Sequence, residues 1–343
     1  MIQPSSARFF SAVALVVLTV PAFHAVAQQH VPPAPSAPTP QQNQPDMQLP
    51  ASTPAAPTPA APVFPKPDPA NFTAATPTKE VVDAFLASNW GYDENRMWQV
   101  QAILKSPADG VTKVIVLIGD KSGKEKPSVL SFFALPDGKH IITGDSIIDF
   151  GANPFAAIRQ QVEQRADGPY RGAASKDLEL VEFADFQCPH CKEAQANIDK
   201  LATDFPKARI VFQNFPIAQI HPQSVNAAAY GHCVNKQAGS TVFFQFAAAV
   251  FDGQDGLATP DGATLTLNAA VTKAGLDPAK IAACAALPET KAAVDASVKL
   301  ANDIGVSQVP MLVVDGREVP ANAPYDVLKK IVDYQVKIDS AAK

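Results

Sequence analysis

The chain has 343 residues and a formal net charge of −5, long enough for about two folded domains. No run of Lys or Arg supplies the basic footprint that nucleic-acid binding needs, so that class is set aside. The four cysteines are Cys188, Cys191, Cys233 and Cys284, an even number that permits two disulfides in an oxidising compartment.

The compartment is read from the N-terminus. Arg8 precedes an apolar run over 9–20, and Ala25-Val26-Ala27 offers a small-x-small cleavage site. This is the layout of a secretory signal peptide, expected over 1–27, with the alternative of an uncleaved anchor left open. The expected location is periplasmic or otherwise extracytoplasmic. Residues 28–76 are rich in Pro, Ala and Gln with few large apolar groups. Such a stretch cannot bury enough surface to offset its ordering entropy and is expected to be a disordered, partly polyproline II linker.

Residues 77–165 predict a small α+β domain. The apolar spacing of Val81, Val82, Phe85 and Leu86 gives a helix, followed by strands at 97–104, 111–118 and 128–134. Pro136-Asp137-Gly138 is a turn before a strand at 139–143, and a helix at about 153–165 leads onward. With His140 its only histidine, here expected to be solvated, this unit is expected to bind or dimerise rather than catalyse.

Residues 175–343 predict the second domain. A strand at 178–183 runs into Cys188-Pro189-His190-Cys191, which opens a helix reaching about 205. A strand at 207–215 completes a β-α-β crossover. An Ala-rich helical block follows over about 223–304, then a hairpin across Asp315-Gly316 and a closing helix at 325–337.

The Cys-x-x-Cys pair carries the chemistry. A helix start presents unpaired N–H groups and the positive end of the helix dipole to the first sulfur, which favours the attacking thiolate. Pro189 costs nothing at that position because its missing N–H would have no partner. Structural zinc takes four ligands and no second Cys-x-x-Cys is present, while covalent haem needs His after Cys191, where Lys192 stands. No metal or organic cofactor is expected.

The stretch 182–191, Glu-Phe-Ala-Asp-Phe-Gln-Cys-Pro-His-Cys, with the helical block and a later Val309-Pro310, resembles the DsbA-like thiol-disulfide oxidoreductases of the thioredoxin superfamily. The fold class expected is therefore α/β, a thioredoxin-like fold with a helical insertion, preceded by the small α+β domain. The segment 136–145 more loosely resembles the dimerising domain of periplasmic disulfide isomerases, which makes a homodimer through 77–165 an expectation.

The resemblance implies roles for individual residues. Cys188 is the nucleophile and exposed sulfur, and Cys191 the buried resolving thiol. His190 stabilises the Cys188 thiolate. Pro310 is cis and faces the dithiol, and Val309 offers its backbone to a substrate strand. Glu182 matches an acidic position below the dithiol that relays a proton for Cys191, although strand parity alone also allows an exposed side chain. Asp185 and Gln187 are expected to be solvated loop residues, Phe183 and Phe186 core or rim, and His221 and His232 helical-surface histidines. Cys233 and Cys284 are read as a structural disulfide of the insertion, with two separate buried thiols as the alternative.

The activity expected is oxidation of dithiols in unfolded or reduced secreted proteins, with a membrane redox partner taking the electrons. A disulfide isomerase or reductase, or a non-catalytic peptide-binding module, are the competing readings.

Overall fold

A computed structural model of the protein describes residues 64–123 and 126–341. The expected signal segment and residues 28–63 of the expected linker lie outside the described residues. The part of that linker that is described, 64–76, is built into the small domain, which corrects the expected boundary at 77. Phe72 bridges to Ile103, Ala74 N–H donates to the Ile103 carbonyl at 3.1 Å, and Thr112 Oγ1 donates to the Thr76 carbonyl at 2.8 Å. One aromatic side chain and a few backbone bonds suffice to hold this Pro-rich stretch in place, which its composition does not advertise.

The small domain is an antiparallel meander under one helix. Helix α1 (Lys79–Trp90) is capped by the Thr78 hydroxyl. Strands β1 (Arg96–Lys105), β2 (Thr112–Asp120), β3 (Ser128–Ala134), β4 (His140–Thr143) and β5 (Ser146–Asp149) pair in sequence order. Val82, Phe85 and Leu86 at helical spacing bury against Val100, Val114, Phe132 and Ile141. The missing element in the sequence reading is β5, whose Ser-Ile-Ile-Asp lacks any alternation and which lies at the edge of the sheet. His140 is half-exposed, as a strand-end histidine, and pairs with Asp137 and Asp149.

Helix α2 (Ala156–Arg165) leads to the second sheet, β6 (Tyr170–Gly172), β7 (Glu179–Ala184), β8 (Arg209–Asn214), β9 (Met311–Val314) and β10 (Arg317–Pro320), in the order β10-β9-β7-β8-β6. Only β7 and β8 are parallel, joined through α3 (Pro189–Asp204). Three-residue β6 carries no strand pattern and was not expected. Side-chain alternation on β7 sends Leu180 toward α3 and the closing helix α8 (Tyr325–Ala341), and Val181 and Phe183 toward α2 and the last insertion helix.

The insertion comprises α4 (Ser224–Asp252), a 3-10 turn (Gln254–Ala258), α5 (Pro260–Lys273), α6 (Pro278–Ala285) and α7 (Pro288–Asp303). Helix α4 kinks at Gly239, whose φ of 78° suits glycine. A disulfide joins Cys233 on α4 to Cys284 on α6. The insertion packs Phe243, Phe246 and Phe251 around Phe186, in one cluster with Cys188 and Cys191. An α/β core with a helical insertion, behind a small α+β domain, is thus the observed architecture.

Candidate active site

The site is built where β7 ends and α3 begins. Cys188 is the N-cap of α3 with extended backbone, and Pro189 occupies the first turn. The Cys188 carbonyl accepts from the N–H groups of Cys191 and Lys192 at 3.1 and 3.2 Å. Cys191, one turn into the helix, is fully buried, and the N–H of Asp185 donates to its Sγ at 3.4 Å.

This placement separates the two thiols electrostatically. Cys188 is lowered to about 6, first by a hydrogen bond from the Cys191 thiol and then by the backbone N–H groups of Cys191 and His190 and the charge of His221, against the opposing effect of burial. Cys191 is pushed far up, because its proton is held in the bond to Cys188 and because burial penalises a second thiolate beside the first. One sulfur is ready to be a thiolate and the other a thiol.

One expectation needs correction here and one is refined. Cys188 is not an openly exposed sulfur: it is 6% exposed. The His190 ring, 65% exposed, turns away to Glu193, with Nδ1 and Oε2 3.0 Å apart. His190 gives Cys188 its backbone N–H, and the Cys188 charge is in turn among the causes that raise the His190 ring, behind Glu193. The reason the ring turns away is rotameric: at the second helical position the ring is one turn from an acidic partner, and it takes that pair in water.

Glu182 is buried, on the face of β7 that α3 covers, so of the two orientations allowed by parity the inward one is adopted. Its Oε1 accepts from Gln195 Nε2 at 2.6 Å, and the same Nε2 donates to the Cys191 carbonyl at 3.2 Å. Burial pushes the Glu182 carboxyl up to about 7, with Arg171 and the Gln195 bond working the other way.

Asp185 and Gln187 are not solvated, contrary to expectation. The Asp185 carboxylate is buried and accepts from Gln187 N–H at 2.7 Å, Ile217 N–H at 2.8 Å and His221 Nδ1 at 2.8 Å. Gln187 donates to the Leu257 carbonyl and accepts from Gln223 N–H. His221 lies in the loop before α4 and not on a helix surface, and its side chain is 14% exposed. His232 is on α4 and half-buried. Phe183 and Phe186 are core.

Gln254 was not singled out in the sequence. Its buried Nε2 donates to the carbonyls of Phe186 and Cys188 at 2.8 and 2.9 Å, fastening the redox loop to the insertion. A glutamine in a Gly-rich turn far along the chain gives no local signal of that contact.

The Val309–Pro310 peptide is cis, Pro310 is buried, and Val309 touches the clusters on both sides. Phe183 on β7 pairs with Met311 on β9, so one step further along this antiparallel ladder Pro310 comes level with the chain that enters the redox loop.

Residues 164–334 match the family model described as Thioredoxin. The chain is similar to the solved thioredoxin-like oxidoreductase from Silicibacter pomeroyi DSS-3, at 24% identity over 52% of this chain and 98% of that one, with a TM-score of 0.45. It is also similar to the thiol-disulfide exchange protein alpha-DsbA2 from Wolbachia pipientis, at 22% identity over 52% and 96%, with a TM-score of 0.45. Among curated proteins it matches a Na(+)/H(+) antiporter NhaA 1 from Salinispora arenicola, 33% identical over 67 residues. That match takes in 20% of this chain and 10% of the antiporter, so the chain spans only about a tenth of that relative.

Proposed function

We propose that the chain, whose residues 164–334 match the Thioredoxin family model, is a DsbA-like thiol-disulfide oxidoreductase that works mainly as an extracytoplasmic dithiol oxidase. The observation that supports this direction is the asymmetry of the dithiol, with Cys188 at about 6 and Cys191 far above its ordinary range. Stabilising the Cys188 thiolate stabilises the reduced pair, so the disulfide is the better oxidant.

The steps balance as follows. A substrate thiolate attacks Sγ of Cys188 in the Cys188–Cys191 disulfide, forming a mixed disulfide and releasing Cys191. Cys191 leaves as a thiolate and takes a proton, for which Glu182, close to half-protonated near neutral pH, is the donor nearest in kind. The second substrate thiolate then attacks its own chain's sulfur in the mixed disulfide. Cys188 departs as a stable thiolate, two electrons have passed to the protein, and the substrate has gained a disulfide. Reduced or unfolded secreted chains are the substrates in this reading, and a membrane redox partner returns the pair to the disulfide. The N-terminal signal pattern supports the extracytoplasmic setting. Among the described residues no helix is long and apolar enough to cross a membrane.

Equilibrating the protein with glutathione buffers and trapping Cys188 and Cys191 by alkylation tests the direction. A potential near the strong-oxidant end, about −120 mV, is expected, and one near about −270 mV, typical of a reductant, overturns the oxidase.

A second reading, an isomerase paired through the small domain, has one observation in its favour. Edge strand β5 leaves Ile147 64% exposed, and Val129 on the same sheet is 67% exposed. An unpaired edge flanked by apolar groups suits association with a second copy. Sedimentation showing a dimer that Ile147→Lys dissolves is the expected result for it, and a wild-type monomer at tens of micromolar removes it.

A further inference from the structure

The redox loop and the insertion are tied by a pair of glutamines. Gln254, in the 3-10 turn after α4, sends its buried Nε2 to the carbonyls of Phe186 and Cys188 at 2.8 and 2.9 Å. Gln187 stands between those two residues and sends its own Nε2 back to the Leu257 carbonyl of the same turn at 3.0 Å. Its Oε1 accepts from Gln223 N–H at 2.8 Å. The consecutive residues 186–188 are thereby held to the turn by three hydrogen bonds. The turn is a firm anchor. Gly256 N–H donates to the Gly253 carbonyl at 2.9 Å, and Leu257 is buried in the apolar cluster that contains Cys188.

The amide orientation follows from the partners. A carbonyl oxygen can only accept, so the Gln254 nitrogen faces both carbonyls, and it has two protons for them. The Cys188 carbonyl is also the one that starts α3, accepting from Cys191 and Lys192 N–H at 3.1 and 3.2 Å. The helix's own donors hold that oxygen, and Gln254 adds a donor from another element. With the Phe186 carbonyl held as well, the backbone on both sides of Gln187 has a fixed direction, and the Cys188 sulfur keeps only its χ1 rotation. That direction matters because the sulfur draws on the His190 and Cys191 N–H groups of the first turn.

We propose that Gln254 is a positioning residue for the redox pair: through its two bonds and the return bond of Gln187, the insertion holds Cys188 at the N-cap of α3 in the geometry that favours the reduced, thiolate form. This rests on the thiol-disulfide reading above and deepens it. Gln254 brings no charge, and Asp255 beside it is exposed. The titratable residues near the dithiol are Cys191 and His190 on α3, Glu182 on β7, Asp185 after it and His221 before α4. A change at residue 254 leaves all of them in the chain. It therefore reaches Cys188 through the loop backbone and not by removing a charge.

The experiment compares the full chain as wild type, Gln254→Met and Leu267→Ala, by glutathione equilibration at pH 7 and by ultraviolet thiolate absorbance against pH. Methionine keeps the length and bulk of the side chain and removes the donor. Leu267, buried in the same cluster on α5, is a packing control whose truncation leaves these bonds in place. Gln254→Met is expected to move the glutathione equilibrium about threefold toward oxidised protein and to raise the Cys188 midpoint by about half a pH unit. Leu267→Ala is expected to lose at least as much stability in urea while leaving both values unmoved. Unmoved values in folded Gln254→Met, or equal shifts in Leu267→Ala, overturn the proposal. Wild type alone gives a second test. Its Gln254 side-chain amide protons are expected to shift in NMR spectra between reduced and oxidised protein, because one carbonyl they bond belongs to Cys188. Identical shifts in the two states overturn the proposal even where the variant does not fold. A wild type that never exchanges with glutathione defeats the oxidoreductase reading itself, whereas exchange with an unmoved Gln254→Met equilibrium defeats only this inference.

Discussion

Glu182 is a carboxyl whose pH behaviour follows from where β7 puts it. Its folded value, about 7, lies above the ordinary 4.5 because burial disfavours the charge. A raised value means that the folded state binds the proton more tightly than the unfolded chain does. The stability this contributes is complete below about pH 4.5 and is lost as pH rises through 7. Glu182→Gln removes the titration while keeping an acceptor for Gln195. Chemical unfolding at pH 5 and pH 8 should therefore show a drop in wild type, on the order of 3 kcal/mol at most, that is absent in the variant. The same variant should slow the release of Cys191 roughly tenfold or more near neutral pH, read as accumulation of the mixed disulfide in rapid quench. Equal pH dependence in both proteins means that Glu182 does not titrate in the folded state. Gln254 makes a complementary case, since it carries no charge. Gln254→Ala strands the carbonyls of Phe186 and Cys188, which should cost about 1–3 kcal/mol in urea unfolding. A loss below a few tenths would mean that water replaces the amide.

At the scale of elements, the insertion is held by a covalent link and the redox loop is held by the insertion. The Cys233–Cys284 disulfide closes a separation of 51 residues. In the chain-entropy account a loop of that size stabilises by about 4 kcal/mol, and measured values commonly fall nearer 2–4. The double variant Cys233→Ala with Cys284→Ala should unfold earlier by that amount while keeping the Cys188–Cys191 potential, because neither cysteine is among the causes of the Cys188 shift. A changed potential would show that the insertion tunes the dithiol through its own packing. The order of these elements was legible from periodicity, since Val81 to Leu86 and the Ala-rich block repeat at helical spacing and strand 128–134 falls on its observed limits. Strands β5 and β6 were not, because four and three residues without alternation hold no period. Nor were Asp185, His221 and Gln254 legible as a group. Each is a polar residue in a loop, the class that local sequence assigns to solvent, and only tertiary packing brings them around Cys188.

For the molecule as a whole, the small domain meets the redox domain at the end of the hairpin that points away from Pro310. The turn Asp315-Gly316 has positive φ at both residues, 46° and 93°, the geometry of a tight two-residue hairpin. A side chain at 316 would collide with the Phe155 carbonyl, 2.3 Å from the position of its Cβ, so glycine there lets the connecting segment press against the turn. Arg317 follows and is buried. Its guanidinium donates to the carbonyls of Ser88 and Asn89 at the end of α1 and lies over the Phe155 ring at 4.3 Å. Those carbonyls are among the last of a helix, where a cation is favoured by the dipole. Tyr334 on α8 adds a hydrogen bond to the Ala87 carbonyl at 2.8 Å. The two domains are thus joined by directional bonds to one helix end, with Tyr92 packed against the redox-domain core beside them, and Arg317 makes two of those bonds. Arg317→Ala should leave three consequences in order: a first calorimetric transition for the small domain below that of the rest, a second transition little moved, and an unaltered glutathione equilibrium for Cys188–Cys191. The redox pair keeps its potential because β9 and β10 remain bonded to each other and to β7 whether or not the turn is docked. A single transition in the variant would mean that α1 is held by apolar packing and that Arg317 only fills space, while a shifted potential would make the hairpin a route by which the small domain acts on the dithiol.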